Sequence, residues 1–349
     1  MTTTGAYIAG IDYALPARRV TNAELAVLHP DWQMNQVLLQ TGVETRHWCD
    51  TGETALDLAE VACRKLFTRL DVNPTHIDAI LFCTQSPDHI MPPNACLLQH
   101  RLDLPRTMAA LDFSLACSGY VYGLYLARAL VDSGAARHVL LVTAETYSKW
   151  MHKDDRGPMT LFGDGAAATL ISAGKDGVGP CVLRTDGGGS KCLMVPAGGA
   201  RLPRSRQTAQ LVSSENGNVR SAEHFFMNGA AVLDFVKKEI PPLVRILLER
   251  AALTQDDLDL VVFHQASKVT LDHLHTVLAI APGKQFCNFG RVGNLVSASI
   301  PVALRDAEVA GALKPGMRVM LVGFGVGLSW GGCIVRWDDR WMAEPGVSK

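Results

Sequence analysis

A repeat within the chain limits what it can fold into more than any other feature. Asp78-Ala79-Ile80-Leu81-Phe82 is echoed by Asp259-Leu260-Val261-Val262-Phe263 at an offset of 181 residues. His138-Val139-Leu140-Leu141-Val142 is echoed by Arg318-Val319-Met320-Leu321-Val322 at 180. Gly163-Asp164-Gly165, followed by the run from Ala166 to Ile171, is matched at 162 by Gly325-Val326-Gly327 ahead of Gly332 to Trp337. The order is the same in both copies, and the shorter last spacing predicts a shorter loop in the second. Unbroken apolar runs of this length are the pattern of strands buried on both faces. Between them lie helical patterns. Val121, Leu124, Tyr125 and Arg128 share one face of residues 120–131, which end at the turn signal Asp132-Ser133-Gly134. Residues 232–248 read as helix around a break at Pro241-Pro242. The reading is a duplicated α/β unit with halves 1–172 and 173–349, joined at residues 174–179. Residues 193–218, rich in Gly, Ser, Arg and Gln, read as an excursion of the second half near the substrate.

Composition supports that reading and excludes others. A chain of 349 residues exceeds one ordinary core, as a doubled domain does. Hydrophobic residues make up 48% and charged residues 19%, so a large core can be buried. The net charge is −1 and the pI near 6.8, which points to neither nucleic acid nor a membrane surface as partner. No basic start is followed by an apolar run, and no stretch reaches the roughly 18 apolar residues of a membrane span. The expected location is the cytoplasm. The nine cysteines are odd in number and none are spaced C-x-x-C, so neither a disulfide framework nor a metal site is expected.

One cysteine stands apart. Cys117 lies in Asp112-Phe113-Ser114-Leu115-Ala116-Cys117-Ser118-Gly119-Tyr120, where a short apolar piece meets small residues and then the helix from Tyr120. A helix start offers free N–H groups and a positive dipole end, which favour a thiolate. Small neighbours leave room for a substrate carbonyl. The competing reading is a core cysteine packed at a strand–helix junction. The repeat adds a second observation: an offset of 180 carries Cys117 to Ser297, within Asn294-Leu295-Val296-Ser297-Ala298-Ser299. Both halves thus open the corresponding helix with small residues, and two such starts facing each other would bring Asn294 close to Cys117.

These segments resemble the type III ketoacyl synthases, a branch of the thiolase superfamily. The resemblance runs over nearly the whole chain. It includes Leu15-Pro16-Ala17-Arg18-Arg19-Val20-Thr21-Asn22, Thr41-Gly42-Val43-Glu44-Thr45-Arg46, the Cys117 segment, Asp155-Arg156-Gly157 and Phe162-Gly163-Asp164-Gly165-Ala166. It continues through His264-Gln265-Ala266, Gly293-Asn294-Leu295-Val296-Ser297-Ala298-Ser299-Ile300-Pro301 and Phe324-Gly325-Val326-Gly327-Leu328-Ser329-Trp330-Gly331. It implies the thiolase fold: two βαβαβαββ halves stacked in five αβαβα layers, usually as a homodimer with the active site between the halves.

The resemblance also implies chemistry. Cys117 takes an acyl group from acyl-CoA as a thioester. A malonyl thioester then loses carbon dioxide, and the enolate attacks the acyl group. The N–H groups of Cys117 and Val326 form the oxyanion hole, with Val326 standing where the family has the middle of three glycines. His264 and Asn294 donate hydrogen bonds to the enolate. Nearby His273 and His275 read as helix surface or core. Trp32 and Arg156 match the pair that stacks on the CoA adenine. Met91 matches a position that reaches across the dimer into the partner's acyl pocket, where a flexible Met admits a longer or branched chain. Lys268 is the candidate contact for an acidic acyl carrier protein, but it precedes the usual basic position, which Val269 fills. Ser267 replaces the commoner asparagine, and Ala230 stands where an asparagine often holds the pantetheine arm. No cofactor is implied, because acyl-CoA and the malonyl thioester are substrates. Two rival readings accompany this one: a same-fold acyltransferase with a non-malonyl acceptor, and a non-catalytic subunit of a hetero-oligomeric synthase.

Overall fold

The computed structural model describes residues 5–174 and 177–338. Two sheets form its centre. The first is ordered β1-β5-β4-β2-β3, built from β1 (Ala6–Ala14), β2 (Ala79–Cys83), β3 (Ala109–Phe113), β4 (His138–Glu145) and β5 (Gly165–Ala173). The second is ordered β6-β9-β8-β7, from β6 (Val178–Thr185), β7 (Leu260–Phe263), β8 (Arg318–Gly325) and β9 (Ser329–Arg336). In each sheet the two echoed apolar runs are neighbours and parallel, β2 with β4 and β7 with β8. The third echo is the next strand, antiparallel in both. Among the described residues the second sheet lacks a full counterpart of β3. In its place a single parallel bridge joins Val261 and Gln285, held by Val261 N–H to Lys284 C=O (2.7 Å) and Phe286 N–H to Val261 C=O (3.2 Å).

Helices separate and cover the sheets. α1 (Ala55–Leu70) and α2 (Asn94–Arg101) lie on the outer face of the first sheet. α4 (Gly229–Ala251) covers the outer face of the second, with α5 (Lys268–Val277) packed against it. α3 (Gly119–Asp132) and α6 (Ser299–Val309) touch both sheets and form the middle layer. The result is the five-layered αβαβα arrangement of the thiolase fold. The strands of the middle are apolar throughout because each has a helix on both faces: β2, β4, β7 and β8 are buried almost from end to end.

One expectation about the helices fails. Residues 229–251 form one continuous helix with Pro241 and Pro242 inside it, not a helix with a break. The carbonyls of Lys237 and Lys238, which lose their donors to the prolines, belong to residues exposed to water, where solvent replaces the missing bonds. The opposite side of the helix buries Phe235, Val236, Ile240, Leu243, Val244 and Leu247, and that packing keeps it intact across the two prolines. The proposed junction at 174–179 lies partly outside the described residues. No described helix is long and apolar enough to cross a membrane.

Candidate active site

Cys117 sits two residues ahead of α3, in a segment whose small side chains let a strand of the other half approach. That strand is β8. A Cβ added to Gly325 at its end would stand 2.8 Å from Cys117 Cβ and 2.9 Å from Sγ, so only glycine fits there. Cys117 is buried. Burial, and then the charge of Glu145, push its thiol well above the ordinary cysteine range. This reverses the expectation of a favoured thiolate. The helix start is buried, and desolvation raises the thiol more than the backbone N–H of Cys117 lowers it. Cys117 at rest is a thiol.

Val326 follows Gly325. It is not among the residues with positive φ, so it needs no glycine-only backbone angle. Its carbonyl accepts a hydrogen bond from Ser329 Oγ at 2.7 Å. Ser118 Oγ lies 2.7 Å from that same Ser329 oxygen. With the Ser329 proton given to Val326, the Ser118 hydroxyl donates, and the residue after Cys117 is tied to the loop beyond β8.

His264 follows β7 directly, and its N–H donates to Val322 C=O of β8 at 2.8 Å. Its ring stands edge-on to Phe324, 5.6 Å between centroids. Burial lowers its pKa to about 3, so the imidazole is neutral. Its Nδ1 is enclosed without a hydrogen-bond partner.

Asn294 is placed by the first half. It pairs with Phe162 in an isolated parallel bridge, donating its N–H to Leu161 C=O (2.9 Å) and accepting from Gly163 N–H (3.0 Å). Arg46 packs against both Gly163 and Gly293 and is fully buried. Its guanidinium donates to Asn22 Oδ1 at 2.8 Å and to Thr160 C=O at 2.6 Å. Asn294 Oδ1 accepts from Val296 N–H at 2.9 Å. This fixes which way the amide faces, with Nδ2 turned away from the backbone that holds Oδ1. The geometry requires Val296 at φ 54°, a left-handed conformation that costs a β-branched residue about 1–3 kcal/mol.

Two depressions are relevant; neither is lined by Cys117, His264 or Asn294, and the first reaches Val326. One is a cavity of about 470 Å³ whose lining includes Tyr147, Trp150, Leu193, Phe225, Arg204 and Val326. The excursion expected at residues 193–218 supplies Leu193 and Arg204 to its wall. The other is a groove of about 410 Å³ that includes Arg156, Met227, Ser267 and Val269. Trp32 does not line that groove. It stacks on His29 at 3.8 Å, and His29 Nδ1 lies 3.8 Å from Asp154, two residues before Arg156. One face of Trp32 is thus occupied by His29. Met91 lines neither depression and is 78% exposed. Lys268 is paired with Asp272 one turn along α5, while Val269 is 42% exposed at the groove. Asn228 caps α4 by accepting from Ala231 N–H at 3.1 Å, and Ala230 beside it is exposed. His273 and His275 are half-buried on α5, with His275 Nδ1 3.3 Å from Gln285 Oε1. No group of three or more His, Cys, Asp or Glu side chains among the described residues is arranged to hold a metal ion.

Glu145 was not singled out from the sequence. It ends β4 and is fully buried. It accepts hydrogen bonds from Gln85 N–H (3.0 Å), Ser86 Oγ (3.0 Å) and Ser297 Oγ (2.8 Å). Burial raises its pKa to about 8 against the effect of those donors. The sequence offers only its position: the 180-residue offset that pairs Cys117 with Ser297 also pairs Glu145 with Gly325, and nothing in the residue types around it marks a role.

The family described as 3-oxoacyl-[acyl-carrier-protein (ACP)] synthase III matches residues 111–187, and its C-terminal domain matches residues 248–337. A β-ketoacyl-[acyl-carrier-protein] synthase III of Caldanaerobacter subterraneus subsp. tengcongensis is 33% identical over 333 residues, 95% of this chain and 97% of that protein. A 3-oxoacyl-(acyl-carrier-protein) synthase III of known crystal structure superposes with a TM-score of 0.94 at 45% identity, covering 95% of this chain and all of the other (100%). The priming β-ketosynthase of the R1128 polyketide biosynthetic pathway superposes with a TM-score of 0.84 at 28% identity, over 97% and 98% of the two chains.

Proposed function

This chain belongs to the β-ketoacyl-[acyl-carrier-protein] synthase III family, and on that premise we propose how its residues divide the work of a condensing enzyme. It is an acyltransferase of fatty-acid or secondary metabolism. Acyl-CoA enters along the Arg156 groove. Cys117 Sγ bonds to the acyl carbonyl carbon, the carbon–sulfur bond to CoA breaks, and the proton of the Cys117 thiol ends on the departing CoA sulfur. Because Cys117 rests as a thiol and a buried neutral His264 is a weak base, proton loss accompanies attack instead of preceding it. The oxyanion sits on the N–H groups of Cys117 and Val326.

The second step breaks a carbon–carbon bond of the malonyl thioester. Carbon dioxide leaves, the electron pair remains as an enolate, and its carbon attacks the acyl-Cys117 carbonyl, expelling the Cys117 thiolate, which takes one proton from solvent to return to the resting thiol. The observation that carries this reading is the fixed amide of Asn294: with Oδ1 committed to Val296 N–H, only the Nδ2 donors face the ligand. A neutral His264 with Nδ1 enclosed supplies its other ring nitrogen. Two neutral donors suit an enolate, and plain acyl transfer does not need them. Asn294→Ala is expected to keep acylation of Cys117 yet cut carbon dioxide release from malonyl-CoA by about 10²–10³-fold, the usual cost of one lost oxyanion donor. Unchanged release would remove Asn294 from the role.

Arg156 holds the nucleotide end. Arg156→Ala is expected to raise KM for acyl-CoA about tenfold, a lost charge-assisted contact, and to leave KM for a short synthetic acyl thioester unchanged. The acyl chain occupies the 470 Å³ cavity, a size that admits more than an acetyl group. In a homodimer formed along the exposed edge of β3, the partner copy brings its own exposed loop of Ile90 and Met91 to that cavity. An acceptor other than a carrier protein has one observation in its favour: Lys268 is paired with Asp272, while the apolar Val269 stands at the groove. Comparing malonyl-CoA with malonyl carrier protein as acceptor distinguishes the two.

A further inference from the structure

We propose that Glu145 and Ser297 are a positioning pair that holds Asn294 in its working orientation across the interface between the halves. The proposal rests on the role given above to Asn294. Three observations carry it. First, the turn that orients the amide is strained at Val296 (φ 54°), so neighbouring contacts must hold it. Second, Ser297, the next residue, donates across the interface to Glu145 Oε1 at 2.8 Å, and 152 residues separate the two. Third, Glu145 is itself fixed. Its other oxygen takes Ser86 Oγ and Gln85 N–H, both at 3.0 Å, and Ser86 Oγ accepts Thr146 N–H at 2.9 Å. Glu145, Ser86 and Ser297 are all buried, so no water competes for these bonds.

The duplication explains why the pair exists. Ser297 is the repeat counterpart of Cys117, and Glu145 that of Gly325. In one copy the strand end is bare and the helix start carries the nucleophile. In the other the strand end carries a carboxyl group, and the helix start is tied to it. Neither Glu145 nor Ser297 is asked to touch the substrate.

The test separates the two half-reactions in the full-length protein. Ser297→Ala is expected to acylate Cys117 within about twofold of wild type, and to lower kcat for carbon dioxide release from malonyl-CoA about tenfold with KM little changed. Glu145→Ala, which removes the acceptor of Ser297 Oγ, should show the same split, whereas Glu145→Gln, close in shape and charge to the protonated carboxyl group, should keep most of the release rate. If Ser297 acts through Asn294, the double variant Asn294→Ala/Ser297→Ala is no slower than Asn294→Ala alone. Unchanged release in Ser297→Ala, equal loss of both half-reactions, or a double variant slowed by the full product of the two factors would each overturn the proposal. Where Ser297→Ala does not fold, Glu145→Ala alone and combined with Asn294→Ala carries the same readouts. Normal release in Asn294→Ala by itself would instead remove the role of Asn294, a result distinct from a failure of the pair.

Discussion

The two ends of the repeat, β4 with Glu145 and β8 with Gly325, are eight-residue strands in corresponding positions of their sheets. Each ends against the helix start of the opposite half. At the end of β8 the missing side chain lets Cys117 lie within contact of the strand. At the end of β4 a carboxyl group fills the same space and grips Ser297. Loops differ in the same way. Beyond β8, Val326 is held by Ser329 of its own hairpin; beyond the bridge to Phe162, the Asn294 turn is held by a residue of the other half. A duplicated fold thus assigns its two equivalent sites to different work: one keeps the reactive sulfur, and the other keeps the turn that orients Asn294.

Making the two ends alike should have the largest effect. Gly325→Ala puts a methyl group 2.8 Å from Cys117 Cβ, and the displaced sulfur should lose at least about a hundredfold in acylation rate, the cost of an ångström-scale misplacement. The measurement is single-turnover acyl transfer to Cys117 in a variant shown to be folded by circular dichroism. Normal acylation would mean that the bare strand end is not what admits the nucleophile.

A smaller effect should follow from loosening the loop on the Cys117 side. Ser329→Ala removes the donor to Val326 C=O and the partner of Ser118. Acylation is expected to slow about tenfold, as for a lost buried hydrogen bond worth roughly 1.5 kcal/mol. Glu145→Ala leaves this step nearly unaffected on the same account. If the two variants exchanged their effects, the assignment of the two ends would be reversed.

The smallest effect is on stability. In the folded protein Glu145 takes up its proton at a pH near 8, far above an unfolded glutamate. Between those values the folded state binds more protons than the unfolded one, so the stability from this group is full at low pH and is lost as pH rises through about 8. Glu145→Gln removes that slope, and its melting temperature should fall by roughly a few degrees less than that of wild type between pH 5 and pH 8.5. Parallel profiles would show that Glu145 is ionised throughout.

The sequence made the framework legible because strands covered on both faces read as plain apolar runs, and their order repeated. The segments around Cys117, His264 and Asn294 were legible through their small residues and motif order. Glu145 was not: Thr143-Ala144-Glu145-Thr146 looks like the polar end of any strand, and its partner lies 152 residues away. The resting state of Cys117 was misread because a helix start is visible in sequence and the depth of burial is not. The helix through Pro241 and Pro242 was misread because its apolar face compensates for bonds the prolines remove. Trp32 was matched by type, but a local turn, in which its N–H donates to His29 C=O at 3.0 Å, stacks it on His29.

The nucleophile is the claim on which both ends depend. Intact-protein and peptide mass spectrometry after exposure to a chain-length panel of acyl-CoAs measures it directly. The account predicts one acyl mass per chain, mapped to Cys117 and absent from Cys117→Ala. An unmodified Cys117 across the whole panel, or an adduct that persists on another cysteine in Cys117→Ala, would contradict it.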